Sequence, residues 1–124
     1  MKKLSNLLSK IKNGCIGNAK IIELRYKKEW LKPLYILYKE GYLQNYIVRD
    51  GKLYIYLRYF KGKNCIRIIK NFAKPSHFIY IKRKHLWLFN RYSGTLVLST
   101  IKGLKTHEEC LVENLGGKIL FFVG

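Results

Sequence analysis

The run Leu98-Ser99-Thr100-Ile101-Lys102-Gly103 puts two hydroxyls, an ammonium group and a glycine directly behind an apolar stretch. Hydroxyls can bond to a base or ribose edge, a lysine attracts phosphate, and a glycine lets the backbone come close to a ligand. On local grounds the same hydroxyls satisfy a turn equally well. The other residues with chemical potential are His77, His85 and His107 and the cysteines Cys15, Cys65 and Cys110. None stands at metal-ligand spacing and no C-x-x-C pair occurs, so neither a zinc site nor a disulfide framework is indicated, and no cofactor is implied. The cysteines read as reduced, buried small hydrophobes.

A small nuclease built on His85 or His107 is the enzyme class to weigh. General acid–base work needs convergent partners. Glu108 and Glu109 flank His107, but Thr106-His107-Glu108-Glu109 reads as a capping box, which gives Glu109 a structural task. No catalytic residue is therefore expected.

The charge balance points elsewhere. Lys and Arg number 25 against 7 Asp and Glu, a formal net of +18 in 124 residues. From Gly51 to His107 there is no carboxylate at all. A solvated face normally mixes both signs, so a purely basic span fits a surface turned towards phosphates. No apolar run approaches the roughly 20 residues that cross a bilayer. The basic, amphipathic start has the look of a membrane-surface or transit segment, yet Leu4, Leu7, Leu8 and Ile11 follow helical spacing. It reads as a first structural helix stopped by Gly14, not as a removable signal.

These residues must be positioned by an α+β chain of two small lobes, residues 1–72 (α-β-α-β-β) and residues 73–124 (mainly β with short helices). After the first helix, Lys20 to Leu24 reads as a strand. Lys27 to Glu40 reads as a helix closed by Gly41, with Pro33 forcing either a later start or a kink. Arg49-Asp50-Gly51-Lys52 is a hairpin signal between Tyr46-Ile47-Val48 and a strand from Leu53 to Phe60, whose Leu53, Ile55, Leu57 and Tyr59 share a face. Asn64 to Lys70 reads as a third strand of the same lobe. Ala73-Lys74-Pro75-Ser76 is the candidate boundary. Beyond it come a strand from His77 to Ile81, a short helical turn from His85 to Arg91, and a strand from Thr95 to Leu98. The Leu98–Gly103 run then leads into a helix from Thr106 to Glu113, which would place its glycine near a helix N-terminus that favours phosphate. A final strand covers Lys118 to Val123.

In order along the chain, several stretches resemble the bacterial-type small-subunit ribosomal protein S eight family. They are Leu8 to Gly14, Lys39-Glu40-Gly41-Tyr42, Tyr59-Phe60-Lys61-Gly62-Lys63, Phe78-Ile79-Tyr80 before Lys82-Arg83-Lys84, Ser99 to Gly103, Thr106, and Leu115-Gly116-Gly117. The resemblance covers the chain from about Leu4. It implies a structural protein that binds the central domain of small-subunit rRNA, supports subunit assembly and translation, and touches neighbouring ribosomal proteins. A free-standing RNA-binding regulator is the alternative. No membrane or small-molecule partner is implied.

Carried over by position, the RNA-binding set is Tyr80, Lys82, Arg83, Lys84, Ser99, Thr100, Ile101, Lys102, Gly103, Gly116, Gly117 and Lys118. Lys10, Lys12, Asn13 and Lys28 add phosphate contacts from the first lobe. Ile101 stands where the family has a second serine, and Lys118 where it has a glutamate, so binding is expected to be more electrostatic and less base-specific. The richness in Lys, Ile and Tyr points to an organelle-encoded member, with the mitochondrial matrix favoured over a plastid or a bacterial cytoplasm.

Overall fold

The computed structural model of the chain describes residues 2–72, 79–86 and 94–124. The elements run α1 (Lys2–Ile16), β1 (Ile21–Arg25), a 3-10 turn (Lys28–Trp30), α2 (Leu31–Lys39), β2 (Leu43–Arg49), β3 (Lys52–Leu57), β4 (Tyr59–Phe60), β5 (Lys63–Asn64), β6 (Ile69–Asn71), β7 (Tyr80–Ile81), α3 (Arg83–Leu86), β8 (Thr95–Thr100), β9 (Gly103–Thr106), α4 (His107–Glu113) and β10 (Gly117–Val123). They divide into two compact units, residues 3–67 and a unit from Ile68 to Gly124.

In the first unit, Leu4, Leu7, Leu8 and Ile11 are buried, as their spacing on α1 requires. The helix continues past Gly14, where a stop was expected, because the glycine stays helical. A Cβ there would lie 2.5 Å from the Ile22 side chain, so its small size serves packing against β1. The helix ends instead after Ile16, with Asn18 in the left-handed region at φ 55° and the amide of Ala19 returning to the Gly14 carbonyl. The expected helix from Lys27 resolves into the 3-10 turn and α2. Pro33 then falls in the first turn of α2, where its missing N–H costs nothing.

Asp50 and Gly51, at φ 51° and 73°, make the anticipated tight turn between β2 and β3. Leu53, Ile55 and Leu57 alternate inward on β3, the central strand of the order β1-β3-β2. The strand expected from Asn64 to Lys70 is not continuous. β5 closes a separate hairpin with β4, and β6 pairs antiparallel with β10 in the second unit. A partner some fifty residues away leaves no mark in local alternation.

The second unit is built on β10, the centre of a five-stranded sheet ordered β6-β10-β8-β9, with β7 also paired to β10. Leu86, Leu96, Leu98, Cys110, Leu115 and Ile119 form its core. Of the strand expected from His77, Tyr80–Ile81 is seen, and of the helical turn from His85 the described part belongs to α3. Ala73 to Phe78 and residues 87–93 lie outside the described residues. Thr106 caps α4 with both halves of the capping box in place, as the sequence required. The Leu98–Gly103 run does not lead into that helix. It forms the tip of the β8–β9 hairpin, and a whole strand separates Gly103 from α4.

Two expectations about stability follow. Thr106→Ala removes the hydroxyl that accepts the Glu109 amide at 3.2 Å. It should cost about 1 kcal/mol in denaturant unfolding, with Thr106→Ser restoring most of it. Burial, reinforced by the carboxylates of Glu109 and Glu113, pushes the Cys110 thiol up to about 11. A folded-state pKa above the unfolded value contributes stability that is present below pH 9 and is lost as the pH rises towards 11. Unfolding curves across that range should show the loss in the native chain and lack it in Cys110→Ala.

Candidate nucleic-acid interface

The register of the second sheet brings together residues far apart in the chain. Lys118 on β10 stands opposite Tyr80 on β7 and opposite Ser99 on β8, and Ser99 stands opposite Leu104 on β9. Directly opposed residues of antiparallel strands project from one face, so Tyr80, Lys118, Ser99 and Leu104 form a row across four strands. Tyr80 and Ser99 are two strand spacings apart, about 10 Å. Their chain neighbours Leu98 and Ile119 face the opposite way, into the core. β8 is buried from Thr95 to Leu98 and emerges at Ser99.

The Tyr80–Lys118–Ser99 part of this row is polar and basic, and Leu104 is a half-buried apolar end. Tyr80 is 62% exposed and Lys118 is exposed. Ser99 is half-buried, and its hydroxyl makes no hydrogen bond among the described residues. Thr100 differs. Its Oγ1 donates to the Gly103 carbonyl at 2.8 Å and accepts from the Lys102 amide at 3.1 Å, so it holds the hairpin tip closed. Beyond it Ile101 is 95% exposed and Lys102 is exposed.

The glycines have separate reasons. Gly103 lies at φ +103°, and a Cβ there would meet nothing within 4 Å. It serves the turn and leaves space on the outer side. Gly117 is buried on β10 against β8, and a Cβ would sit 2.5 Å from the Ser99 carbonyl oxygen. Only hydrogen fits, so Gly117 sets the distance at which Lys118 and Ser99 stand side by side. Gly116 is half-buried just before it.

The unit's acids are kept off this face. Glu108, Glu109 and Glu113 all lie on α4, whose Cys110 packs into the core beside Leu98. Lys105, on the core side of β9, bridges Glu113 at 3.5 Å and Glu109 at 4.0 Å. Lys82 and Lys84 are exposed at the end of β7 and on α3, with Arg83 opening that helix. Lys10, Lys12 and Asn13, exposed on α1, and Lys28, exposed on the 3-10 turn, belong to the first unit and not to this row.

Catalysis finds no support in the histidine nearest to carboxylates. His107 is buried, and its Nδ1 accepts the Leu96 amide at 3.2 Å, so the ring braces β8. Among the described residues no group of three His, Cys, Asp or Glu side chains is placed to hold a metal, and no helix is long and apolar enough to cross a membrane. The sequence reading missed the hairpin and Leu104. The one signal for them was the glycine two residues after Ile101, at the strand-restarting position.

Comparison with known proteins places this arrangement in context. The family model for Ribosomal protein S8 matches residues 2–123. The chain is 35% identical over 123 residues to the small ribosomal subunit protein uS8m of Acanthamoeba castellanii, covering 97% of each chain. It is 32% identical to the uS8 protein of Wigglesworthia glossinidia brevipalpis and 33% identical to that of Rhodopseudomonas palustris, covering 97% of this chain and 95% of each relative.

Gly117→Ala should push β8 away from β10. Unfolding should show a loss of about 1–3 kcal/mol, and amide exchange should quicken at Ser99 and Lys118 ahead of the first unit.

Proposed function

The chain belongs to the ribosomal protein S8 family, and from that membership we infer that it is a structural component of the small ribosomal subunit that binds rRNA. The supporting observation is the Tyr80–Lys118–Ser99 row, which carries an exposed ring, an exposed cation and a half-buried hydroxyl with no hydrogen bond among the described residues, in fixed register. A-form helices hide their sequence in a deep groove, so proteins recognise RNA through unstacked bases, 2′-hydroxyls and phosphates. Tyr80 can stack on a base or bond the backbone, Ser99 can bond a base or ribose edge, and Lys118 neutralises a phosphate. Exposed Lys102, Lys82 and Lys84 supply further cations for phosphate, and Arg83 joins them by its place in the same basic run of the sequence. Ile101 offers an apolar contact at the tip where a hydroxyl would offer a polar one.

The rRNA segment we propose is the central domain of the small-subunit RNA, with the first unit's Lys10, Lys12, Asn13 and Lys28 adding backbone contacts. Neighbouring small-subunit proteins are the remaining partners. The reaction chemistry of an enzyme has no place in this reading. We place the chain in mitochondrial ribosomes, on its Lys-, Ile- and Tyr-rich composition and its likeness to a relative whose name carries the mitochondrial suffix. Finding its gene on a bacterial chromosome would remove that assignment.

Ser99→Ala should cost about 1–3 kcal/mol of binding to a central-domain rRNA fragment, leave scrambled RNA unaffected and leave the unfolding midpoint unchanged. Thr100→Val should instead lower stability by about 1 kcal/mol, because its hydroxyl works inside the turn. Equal loss on both RNAs for Ser99→Ala would overturn the assignment of Ser99.

A further inference from the structure

The motif Tyr59-Phe60-Lys61-Gly62-Lys63 plays no part in the row described above, and it forms a small hairpin in the other unit. Tyr59 stands opposite Asn64 and Phe60 opposite Lys63. Lys61 and Gly62, at φ 53° and 77°, make the tight turn with both central residues left-handed. A lysine in that conformation is uncommon, so this turn is held by its surroundings.

One face of the hairpin is anchored. The Tyr59 hydroxyl donates to the Ala19 carbonyl. Asn64 Oδ1 accepts the Ile66 amide at 2.9 Å, and the Cys65 amide donates to the Arg58 carbonyl at 3.0 Å. The other face is turned outward. Strand alternation puts Arg58 and Phe60 on it, with Lys63 directly across from the ring.

Phe60 is 66% exposed, an apolar ring presented on an anchored hairpin. Together with Arg58, Lys61, Lys63 and Arg67 it lines a shallow concavity of about 480 Å³ that contains no carboxylate. Lys61 Nζ lies 5.4 Å from the ring centroid, and Arg58 Nη1 reaches only the Gly41 carbonyl, at 3.3 Å. None of the four cations pairs with a carboxylate among the described residues.

This combination selects a ligand class. An inorganic phosphate makes no use of the ring, and an apolar peptide makes no use of the cations. An acidic protein segment would pair with the cations but leave the ring wet. An unpaired nucleotide uses both, since every base has a π-face for the ring and phosphates on either side for the cations. We propose that the outer face of the Tyr59–Asn64 hairpin is a second RNA-contacting site, which stacks one unpaired base on Phe60 and holds the flanking phosphates with Arg58, Lys63 and Arg67. It rests on RNA being the partner of this chain, and it uses none of the residues of the Tyr80–Lys118–Ser99 row.

The test uses the full chain and a short oligouridylate carrying 4-thiouridine. Irradiation should cross-link the RNA to the peptide that holds Phe60. In fluorescence anisotropy Phe60→Ala should weaken binding of the oligouridylate about 5- to 100-fold, Phe60→Leu should do the same, and Phe60→Tyr should bind as the native chain does. Lys63→Ala should lower the slope of log affinity against log salt by about one. If Ser99→Ala weakens the central-domain fragment while Phe60→Ala and Phe60→Leu leave the oligouridylate untouched, the hairpin proposal falls and the first site stands. Cross-links that map away from the hairpin also overturn it. So does a Phe60-dependent affinity for polyglutamate without one for the oligouridylate, which would reassign the face to an acidic protein.

Discussion

The surface depends on one close approach. At Gly117 the backbone of β10 passes so near the Ser99 carbonyl that no Cβ fits between them. That contact brings β8 to β10 with Lys118 level with Ser99, and β7 then brings Tyr80 level with Lys118 from the other side. A one-residue slip of β10 would turn Lys118 into the core and Ile119 to solvent, so burial of Ile119 and Leu98 enforces the same register that the surface needs. The row lies on the face of the sheet opposite Leu98 and Ile119, which pack into the unit's core.

Charge is the second constraint. A chain carrying a net +18 repels itself, and folding brings its cations closer together. Part of the relief is internal. Lys105 sits between Glu109 and Glu113, and Lys52 bridges Glu23 at 3.0 Å. The Glu23 carboxylate also raises the Lys52 ammonium pKa. Seven carboxylates cannot serve 25 cations, and the acids of the second unit are gathered on one helix. The remaining cations need counter-charge from outside. Binding to a polyanion supplies it and releases the condensed counterions of the RNA.

Much of the fold was legible because its determinants are local. The spacing of Leu4, Leu7, Leu8 and Ile11, the Asp50-Gly51 turn, the alternation of Leu53, Ile55 and Leu57, and the Thr106–Glu109 box each act within a few residues. The errors came where the determinant is distant. β6 looks like the continuation of β5, and only the β10 partner shows that it belongs to another sheet. The Ser99–Gly103 run reads as a lead-in to a helix because Ile101-Lys102 lacks the residues that announce a hairpin turn. The turn is held by the Thr100 hydroxyl instead. Sequence could name Tyr80, Ser99 and Lys118 by resemblance, but not that they stand in one row, since register between strands is a tertiary property.

Sedimentation of an organellar lysate through a sucrose gradient, run at low and at high salt and probed for this chain, tests the central claim most directly. Attraction by charge alone fails at high salt, while a shaped, hydrogen-bonded interface persists. Co-migration with small subunits at both salts is the predicted result. Migration in the light fractions at both salts would contradict membership in the subunit.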